Sequence, residues 1–493
     1  MPHSKVPPTF AALSDQPLLC SDVLKQRCQG NSVNEPHAQR ESLQFKGGWI
    51  GALVPFLVFL VGVAWLGLSG APDEHGFWPI LLVALIVAML LAEDRGAWAD
   101  TVVRGMSQPI VLLMILAWLL AGVLASLMNA SGFVESLVWV AGKLGLQGGG
   151  YAAASFLISC LVATATGTSL GTIILCAPLL YPASAGLGTD PVILMGAILG
   201  GATFGDNISP VSDTTIASAS TQGADIGGVV RTRLRYALPA AAVALVFYVL
   251  LGGAQSGGAQ ALTLQGNPSG LPMLLAPLVV VVLLIRRSHL LTGLLTGILI
   301  AAGIGLALGL LEPRQLLYLD PEAYTARGLI IDGMERGIGV SIFTLLLMGL
   351  VAGLEASGLL SRIVGAWSGR AKTERGVEFG LFTMASAAVL LTTHSVVALL
   401  AIGGFARQAG ENAGIGRYRR ANLLDMTVCT WPFLVPYCIP TVLAASTTSA
   451  GLAVGLPILS PLQIGLANFH SWALLGMTVI AIATGYGRTT SED

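Results

Sequence analysis

The side chains best suited to bind an ion lie close together in one short stretch. They all carry oxygen atoms: Asp206, Asn207, Ser209, Ser212, Asp213, Thr214 and Thr215. Pro210 has no N–H, so a helix through this stretch loses the hydrogen bond to the carbonyl of Asp206. The opened turn adds carbonyl oxygens, and hard oxygen ligands of this kind suit an alkali cation. We therefore predict a Na⁺ site whose direct ligands are Asp206, Asn207 and Asp213.

This stretch lies inside a long apolar segment, residues 190–220. Carboxylates facing lipid would be costly, so they must face protein or water. Burial disfavours the charged form of a carboxylate, which makes H⁺ and Na⁺ rivals for one site. If the empty, charged site is too costly to move across the membrane barrier, the protein exchanges one ion for the other. The structural alternative is a set of polar groups that satisfy one another at a helix kink.

The composition indicates an all-α polytopic membrane protein. Of the 493 residues, 54% are hydrophobic and 10% are charged, and apolar stretches of spanning length recur along the chain. A net charge of −1 gives no basis for a nucleic-acid partner. The six cysteines show no CxxC spacing, so we expect free thiols. No catalytic or cofactor motif is present, so we expect neither an enzyme nor a bound cofactor.

Ten crossings are predicted, together with two longer apolar segments that have polar centres. The crossings are 49–69, 78–93, 108–128, 190–220, 234–253, 272–285, 290–311, 338–355, 420–448 and 470–486. The segments 151–182 and 377–406 are re-entrant hairpins or double crossings, and the sequence does not choose between these. Arg and Lys concentrate in alternate loops, which predicts a cytoplasmic N-terminus in a bacterial inner membrane. Residues 1–46 are expected to form a disordered cytoplasmic tail.

An internal repeat divides the membrane region. A shift of 226 positions aligns Thr166 with Thr392, Ser169 with Ser395 and Pro210 with Pro436. We predict a first transmembrane repeat at 47–255, a non-cytoplasmic linker at 256–271 and a second repeat at 272–487. Five crossings and one hairpin in each half would give the halves opposite orientations, with discontinuous helices at the midplane, an architecture typical of secondary transporters.

The hairpin tips and one further acid complete the predicted site. The tips are rich in hydroxyls, which suits helix N-termini that face a substrate: Thr166, Thr168, Ser169, Thr393, His394 and Ser395. His394 could carry a proton or be structural. Asp425, about two turns before Pro432, could bind an ion or pair with Arg419 or Arg420.

Residues 204–215, with the preceding Ala165-Thr166-Gly167-Thr168-Ser169, resemble the signature of the NhaC family of sodium/proton antiporters. The resemblance covers about residues 49–487. The family belongs to the wider ion transporter superfamily. It implies cation ligation and proton exchange at Asp206 and Asp213, with both tips closing the site. It also implies a homodimer in the lipid bilayer, with Na⁺ and H⁺ as the transported partners.

Two functions fit these observations. The leading one is Na⁺/H⁺ antiport with alternating access. The alternative is a Na⁺- or H⁺-coupled carrier of a small organic anion or amino acid. An anionic substrate would favour an arginine inside the membrane, and the predicted spans place none deep in the bilayer, which favours the ion-only function.

Overall fold

The computed structural model describes residues 43–69, 74–210, 212–253, 266–286, 288–321, 324–359, 362 and 373–488. This part of the chain is mostly helical. Within it, eight helices are long and apolar enough to cross a membrane. A ninth would come from Pro461–Ala467 and Phe469–Thr484, which meet at 56°. The protein is therefore a multi-pass membrane protein.

The described residues of the first half form eleven helices and one short 3₁₀ turn. The helices are α1 Trp49–Ser69, α2 Phe77–Leu91, α3 Arg95–Met106, α4 Pro109–Ala130, α5 Phe133–Lys143, α6 Gly149–Thr166, α7 Ser169–Leu180, α8 Ser184–Leu187, α9 Pro191–Ile208, α10 Asp213–Gln222 and α11 Ile226–Leu251. The 3₁₀ turn at Glu74–Gly76 leads into α2.

In the second half, the described residues add eleven helices, three 3₁₀ turns and one small hairpin. The helices are α12 Leu275–Ile285, α13 Leu290–Ala307, α14 Pro313–Leu316, α15 Leu329–Glu335, α16 Ile338–Ala356, α17 Glu374–Thr392, α18 Ser395–Asn412, α19 Arg417–Val428, α20 Ile439–Thr447, α21 Pro461–Ala467 and α22 Phe469–Thr484. The 3₁₀ turns are Pro268–Leu274, Trp431–Phe433 and Thr448–Val454. The hairpin pairs β1 Tyr318–Asp320 with β2 Thr325–Arg327 in antiparallel register, so the all-α prediction was wrong for this connection.

The helices break where the sequence predicts. α6 ends at Thr166, and Gly167 takes a left-handed conformation (φ +71°) before α7 begins. At the equivalent point after α17, Thr393 takes the same conformation (φ +54°), which is unfavourable for a residue with a β-branched side chain. Both breaks then continue through one extended residue, Thr168 or His394, into the next helix.

Helix starts also recur at the predicted repeat spacing. α7 and α18 begin 226 positions apart, as do the pairs α9 and α19, and α10 and α20. The predicted opening at Pro210 is confirmed, because α9 ends at Ile208 and α10 begins at Asp213. The matching break between α19 and α20 is confirmed as well. The opposite orientation of the two halves stays a prediction.

The interrupted span of α9 and α10 lies at the centre of the protein. Buried residues make up 89% of its most apolar window, against 28% for α11 and for α13. α9 packs closely on α6 through Gly201 and Gly205. A Cβ at Gly201 would lie 2.5 Å from the carbonyl oxygen of Phe156, so a larger residue would force the helices apart. This contact holds Asp206 beside the end of α6.

Two further predictions concern the N-terminal tail and the cysteines. Residues 1–42 of the predicted tail lie outside the described residues, but Leu43 and Phe45 are buried. The Leu43 N–H donates to the carbonyl of Ala356 at 2.9 Å, so the packed unit begins before the predicted boundary at 46. Four cysteines are described and all are free and buried, as predicted: Cys160, Cys176, Cys429 and Cys438. Cys20 and Cys28 lie outside the described residues.

Candidate ion-binding site

Asp206 is a buried carboxylate held by two hydroxyl groups. Its side chain is 5% exposed, near the C-terminal end of α9. The Ser169 hydroxyl, at the start of α7, donates to Oδ2 at 2.8 Å. The Ser212 hydroxyl, in the break before α10, donates to Oδ1 at 2.7 Å. No Lys, Arg or His among the described residues forms an ion pair with Asp206, so its charge is balanced only by hydrogen bonds.

Asn207 adds an unused amide beside this carboxylate. Its side chain is fully buried, and neither Oδ1 nor Nδ2 has a hydrogen-bond partner within the described chain. Buried polar atoms normally find a partner, so this amide is available to a ligand. Ser209 is different, because its hydroxyl donates to the carbonyl of Thr164 at 2.8 Å and so joins the break to α6. Ser209 therefore has a structural contact, whatever its role towards an ion.

Asp213 opens α10 and faces the second tip. Its side chain is exposed, and it interacts electrostatically with Asp206 and His394. His394 is half-buried, and its Nδ1 has no hydrogen-bond partner among the residues described. Thr214 is buried, and its hydroxyl lies 3.0 Å from that of Ser212. The break thus brings both predicted acids and their hydroxyl neighbours together.

The other tip residues contribute mainly to local structure. The Thr166 hydroxyl donates to the carbonyl of Val162 at 2.8 Å, and the Thr168 hydroxyl caps α7 by accepting from Gly171 N–H at 3.2 Å. Ser395 donates to the carbonyl of Val428 at 2.9 Å, which ties the second tip to the end of α19. Thr393 is buried, and its hydroxyl has no partner among the described residues.

Asp425 forms a buried ion pair with an arginine that the sequence analysis missed. Its partner is Arg233 of α11, not Arg419 or Arg420, and both side chains are fully buried. The Arg233 guanidinium also donates to the backbone carbonyl of Asn207 and to the Thr215 hydroxyl, the latter at 3.0 Å. The predicted span 234–253 leaves Arg233 in the preceding loop, but α11 begins at Ile226 and carries it two turns into the protein. The expectation that no arginine lies deep in a span was therefore wrong.

A helix-start signal could have placed Arg233 correctly. Asp225 is the N-cap of α11, where its carboxylate accepts from Gly228 N–H at 2.7 Å. Starting the helix there puts Val229, Arg233 and Tyr236 on one buried face.

The two alternative arginines have other partners. Arg419 donates to both carboxylate oxygens of Glu378, at 2.9 and 3.1 Å. Arg420 donates to the Gln222 side chain at 3.1 Å and lies 3.4 Å from the Glu411 carboxylate. Neither is available to neutralise Asp425, so Arg233 alone performs that task among the described cations.

The charges of the cluster favour a cation. Asp206, Asp213 and Asp425 interact electrostatically, and Arg233 is paired with one of the three. One negative charge is therefore neutralised, while Asp206 and Asp213 keep no arginine or lysine partner in the described region. No group of three or more His, Cys, Asp or Glu side chains there is arranged to hold a metal ion. Binding of a cation would thus depend on carboxylates together with hydroxyl, amide and carbonyl oxygens, which suit Na⁺.

Comparison with known proteins points to one family. Residues 23–253 match the model of the Na⁺/H⁺ antiporter family. The Na⁺/H⁺ antiporter NhaC of Alkalihalophilus pseudofirmus is 30% identical to this chain over 239 residues, which cover 45% of this chain and 51% of that protein. The part that matches the family model, residues 23–253, contains the first tip, Asp206 and Asp213.

The names of two further relatives include organic molecules. The malate-2H⁺/Na⁺-lactate antiporter of Bacillus subtilis is 26% identical over 206 residues, which cover 42% of each chain. The arginine/ornithine antiporter ArcD of Halobacterium salinarum is 25% identical over 454 residues, which cover 86% of this chain and 91% of that protein. The chain therefore spans about half of the length of the first two relatives and most of the third.

Proposed function

We propose that this chain is a secondary transporter of the Na⁺/H⁺ antiporter family and exchanges Na⁺ for H⁺ at Asp206. In this proposal Ser169, Ser212 and Asn207 complete the site, and Asp213 with His394 forms its approach. Hydrogen bonds from two hydroxyls orient the carboxylate, and the free amide oxygen of Asn207 supplies a further ligand.

One observation carries the proposal. Asp206 is a buried carboxylate in a broken membrane span, and it has hydroxyl partners but no ion-pair partner among the described residues. An uncompensated charge at such a position is costly. The cost is removed when either a proton or a cation binds, so both stabilise the same carboxylate. Competition for one site then couples the two ions.

Arg233 supports this competition indirectly, without binding the transported ion. Because it is paired with Asp425, that carboxylate does not need a second cation. Arg233 also donates to the carbonyl of Asn207, the residue next to Asp206, and so fixes the opened end of α9. We infer that Arg233 and Asp425 position the site, whereas Asp206 holds the transported ion.

Alternating access follows from the same elements. The proposal takes the two halves as inverted repeats, with the breaks after α6 and α17 forming re-entrant tips in a bacterial inner membrane. Ser169 joins the first tip to Asp206, and Ser395 joins the second tip to α19. Movement of one half against the other would expose Asp206 to each side in turn.

A carrier of organic molecules coupled to these ions is the second candidate. The names of two relatives, a malate/lactate antiporter and an arginine/ornithine antiporter, support it. Arginines do lie within spans. The absence of such arginines was the expectation that favoured the ion-only function, so that preference no longer holds. The ion site at Asp206 is common to both candidates.

Proton movement in proteoliposomes tests the proposal. With an imposed pH difference, NaCl, LiCl or KCl is added in turn to wild type, Asp206→Asn and Asp213→Asn. Asp100→Asn is the matched control, because Asp100 is an exposed aspartate on α3. We expect cation-dependent collapse of the pH difference in wild type and the control, and its loss in Asp206→Asn. A full response in Asp206→Asn would contradict the proposal.

A further inference from the structure

The two halves of the interrupted span formed by α9 and α10 differ in their burial. In α9, every residue from Leu194 to Asn207 is buried. In α10, four residues spaced three or four apart are exposed: Asp213, Ile216, Ser220 and Gly223. This spacing places them on one face of the helix, which we call the α10 stripe. The span is therefore closed along α9 and open along one face of α10.

The α10 stripe connects the carboxylate cluster with the arginine-rich end of the protein. From Asp213 to Gly223 it is about 15 Å long, at 1.5 Å per residue. At its outer end, the carbonyl of Gly223 accepts from the Arg417 guanidinium at 3.5 Å. The guanidinium carbon of Arg407 lies 3.7 Å from the position that a Cβ on Gly223 would occupy. The positive-inside bias predicts that this end is cytoplasmic.

The other faces of α10 are covered by neighbouring helices. The Thr215 hydroxyl accepts from Arg233 of α11 at 3.0 Å and donates to Asp425 of α19 at 3.4 Å. The Gln222 amide donates to the carbonyl of Gly403 on α18 at 3.1 Å. These contacts enclose α10 on the sides away from the stripe. The stripe itself must therefore face lipid or water.

The composition of the α10 stripe favours water. The exposed face of α11 consists of large apolar side chains, as expected for a surface in contact with lipid: Leu238, Val243, Val246, Phe247, Val249 and Leu250. The α10 stripe has one such side chain, Ile216, and otherwise a carboxylate, a hydroxyl and a glycine. A carboxylate that faces lipid is costly, so Asp213 requires water beside it.

We propose that the α10 stripe lines a water-filled crevice, through which ions reach the site from the cytoplasmic side. Asp213 lies at the bottom of this crevice and attracts a cation. Ser212, the preceding residue, donates to Asp206 at 2.7 Å and joins the crevice to the buried carboxylate. The structure is then the state open to the cytoplasm, and α9 closes the opposite side. Passage of transported ions through the crevice rests on the proposed function, whereas its access to water does not.

Thiol labelling in membrane vesicles tests the crevice. Ile216→Cys and Ser220→Cys are each combined with Cys20→Ser and Cys28→Ser, and the parent without the new cysteine is the blank. The membrane-impermeant cationic methanethiosulfonate MTSET is added to inside-out and to right-side-out vesicles, and mass spectrometry of the purified protein counts the adducts. We expect both cysteines to react at least about tenfold faster in inside-out vesicles, because the reactive thiolate forms in water.

Matched positions separate water from protein and from lipid. Ser218→Cys lies on α10 but is fully buried, and Leu238→Cys is on the apolar face of α11, where Leu238 is 52% exposed. Neither should react from either side. Adding Asp206→Asn to Ser220→Cys should preserve the cytoplasmic labelling and abolish cation-dependent proton movement. A wild type that shows no cation-dependent proton movement would thus contradict the proposed function alone.

Modification also shows whether ions use the crevice. The cationic group attached at Ser220→Cys should abolish cation-dependent proton movement, and a reducing agent that removes the group should restore it. Reaction of Ile216→Cys and Ser220→Cys no faster than that of Leu238→Cys would overturn the crevice, because the α10 stripe would then face lipid. Faster reaction in right-side-out vesicles would overturn its sidedness. Undiminished proton movement after complete modification would overturn its use by the transported ions.

Discussion

Replacing Arg233 by glutamine removes the cation that neutralises Asp425. The remaining contacts of this carboxylate are weak, namely the Thr215 hydroxyl at 3.4 Å and the Cys429 thiol at 3.2 Å. The carbonyl of Asn207 also loses its donor. Breaking a buried pair by removing one partner costs about 3–5 kcal/mol, so we expect the free energy of unfolding to fall by that amount.

The double variant makes this prediction specific. Arg233→Gln with Asp425→Asn removes both charges of this pair, so its loss of stability should be smaller than the sum of the single losses by at least about 2 kcal/mol. Reversible unfolding in mixed detergent micelles, followed by tryptophan fluorescence, measures each variant. Arg407→Gln is the control, because it breaks an exposed pair with Glu411 and should cost about 0.5 kcal/mol. Additivity of the two single losses within about 0.5 kcal/mol would refute the pairing.

Three further substitutions test other contacts. Ser169→Ala removes one of two donors to Asp206, and a bond to a charged group contributes about 1.5–3 kcal/mol, so the apparent KM for Na⁺ in the proton-movement assay should rise at least tenfold. Glu378→Gln removes the carboxylate that two guanidinium groups share and should lower the unfolding free energy by about 3–5 kcal/mol in detergent. The Tyr418 hydroxyl holds the pKa of Asp225 below its usual range, so its stabilisation is complete above pH about 4 and disappears as the pH falls through the lowered pKa. The difference in thermal midpoint between wild type and Tyr418→Phe should therefore shrink below pH about 4, and a constant difference would contradict this.

Sequence patterns were sufficient to predict the features that depend on local chemistry. Pro210 predicted the end of α9, because a missing N–H interrupts a helix wherever the helix lies. The repeat spacing predicted the second break at 428–439 from the first, although the acids are absent there. The carboxylates and hydroxyls of 206–214 were recognised because polar groups are conspicuous in an apolar segment.

Features that depend on packing between distant elements were missed. Arg233 looked like a loop cation, and its pairing with Asp425 requires the contact of α11 with α19, which no local pattern encodes. The small hairpin at 318–327 escaped notice because three-residue strands give almost no periodicity.

The competition of Na⁺ and H⁺ for Asp206 is tested most directly by the pH dependence of Na⁺ binding. Isothermal titration calorimetry of the purified protein gives the Kd for Na⁺ between pH 5 and pH 9, with Asp206→Asn as the reference. If one carboxylate holds either ion, the Kd rises about tenfold for each unit by which the pH falls, once the carboxylate takes up its proton. A Kd for Na⁺ that stays constant over this range, or persists in Asp206→Asn, would contradict the account.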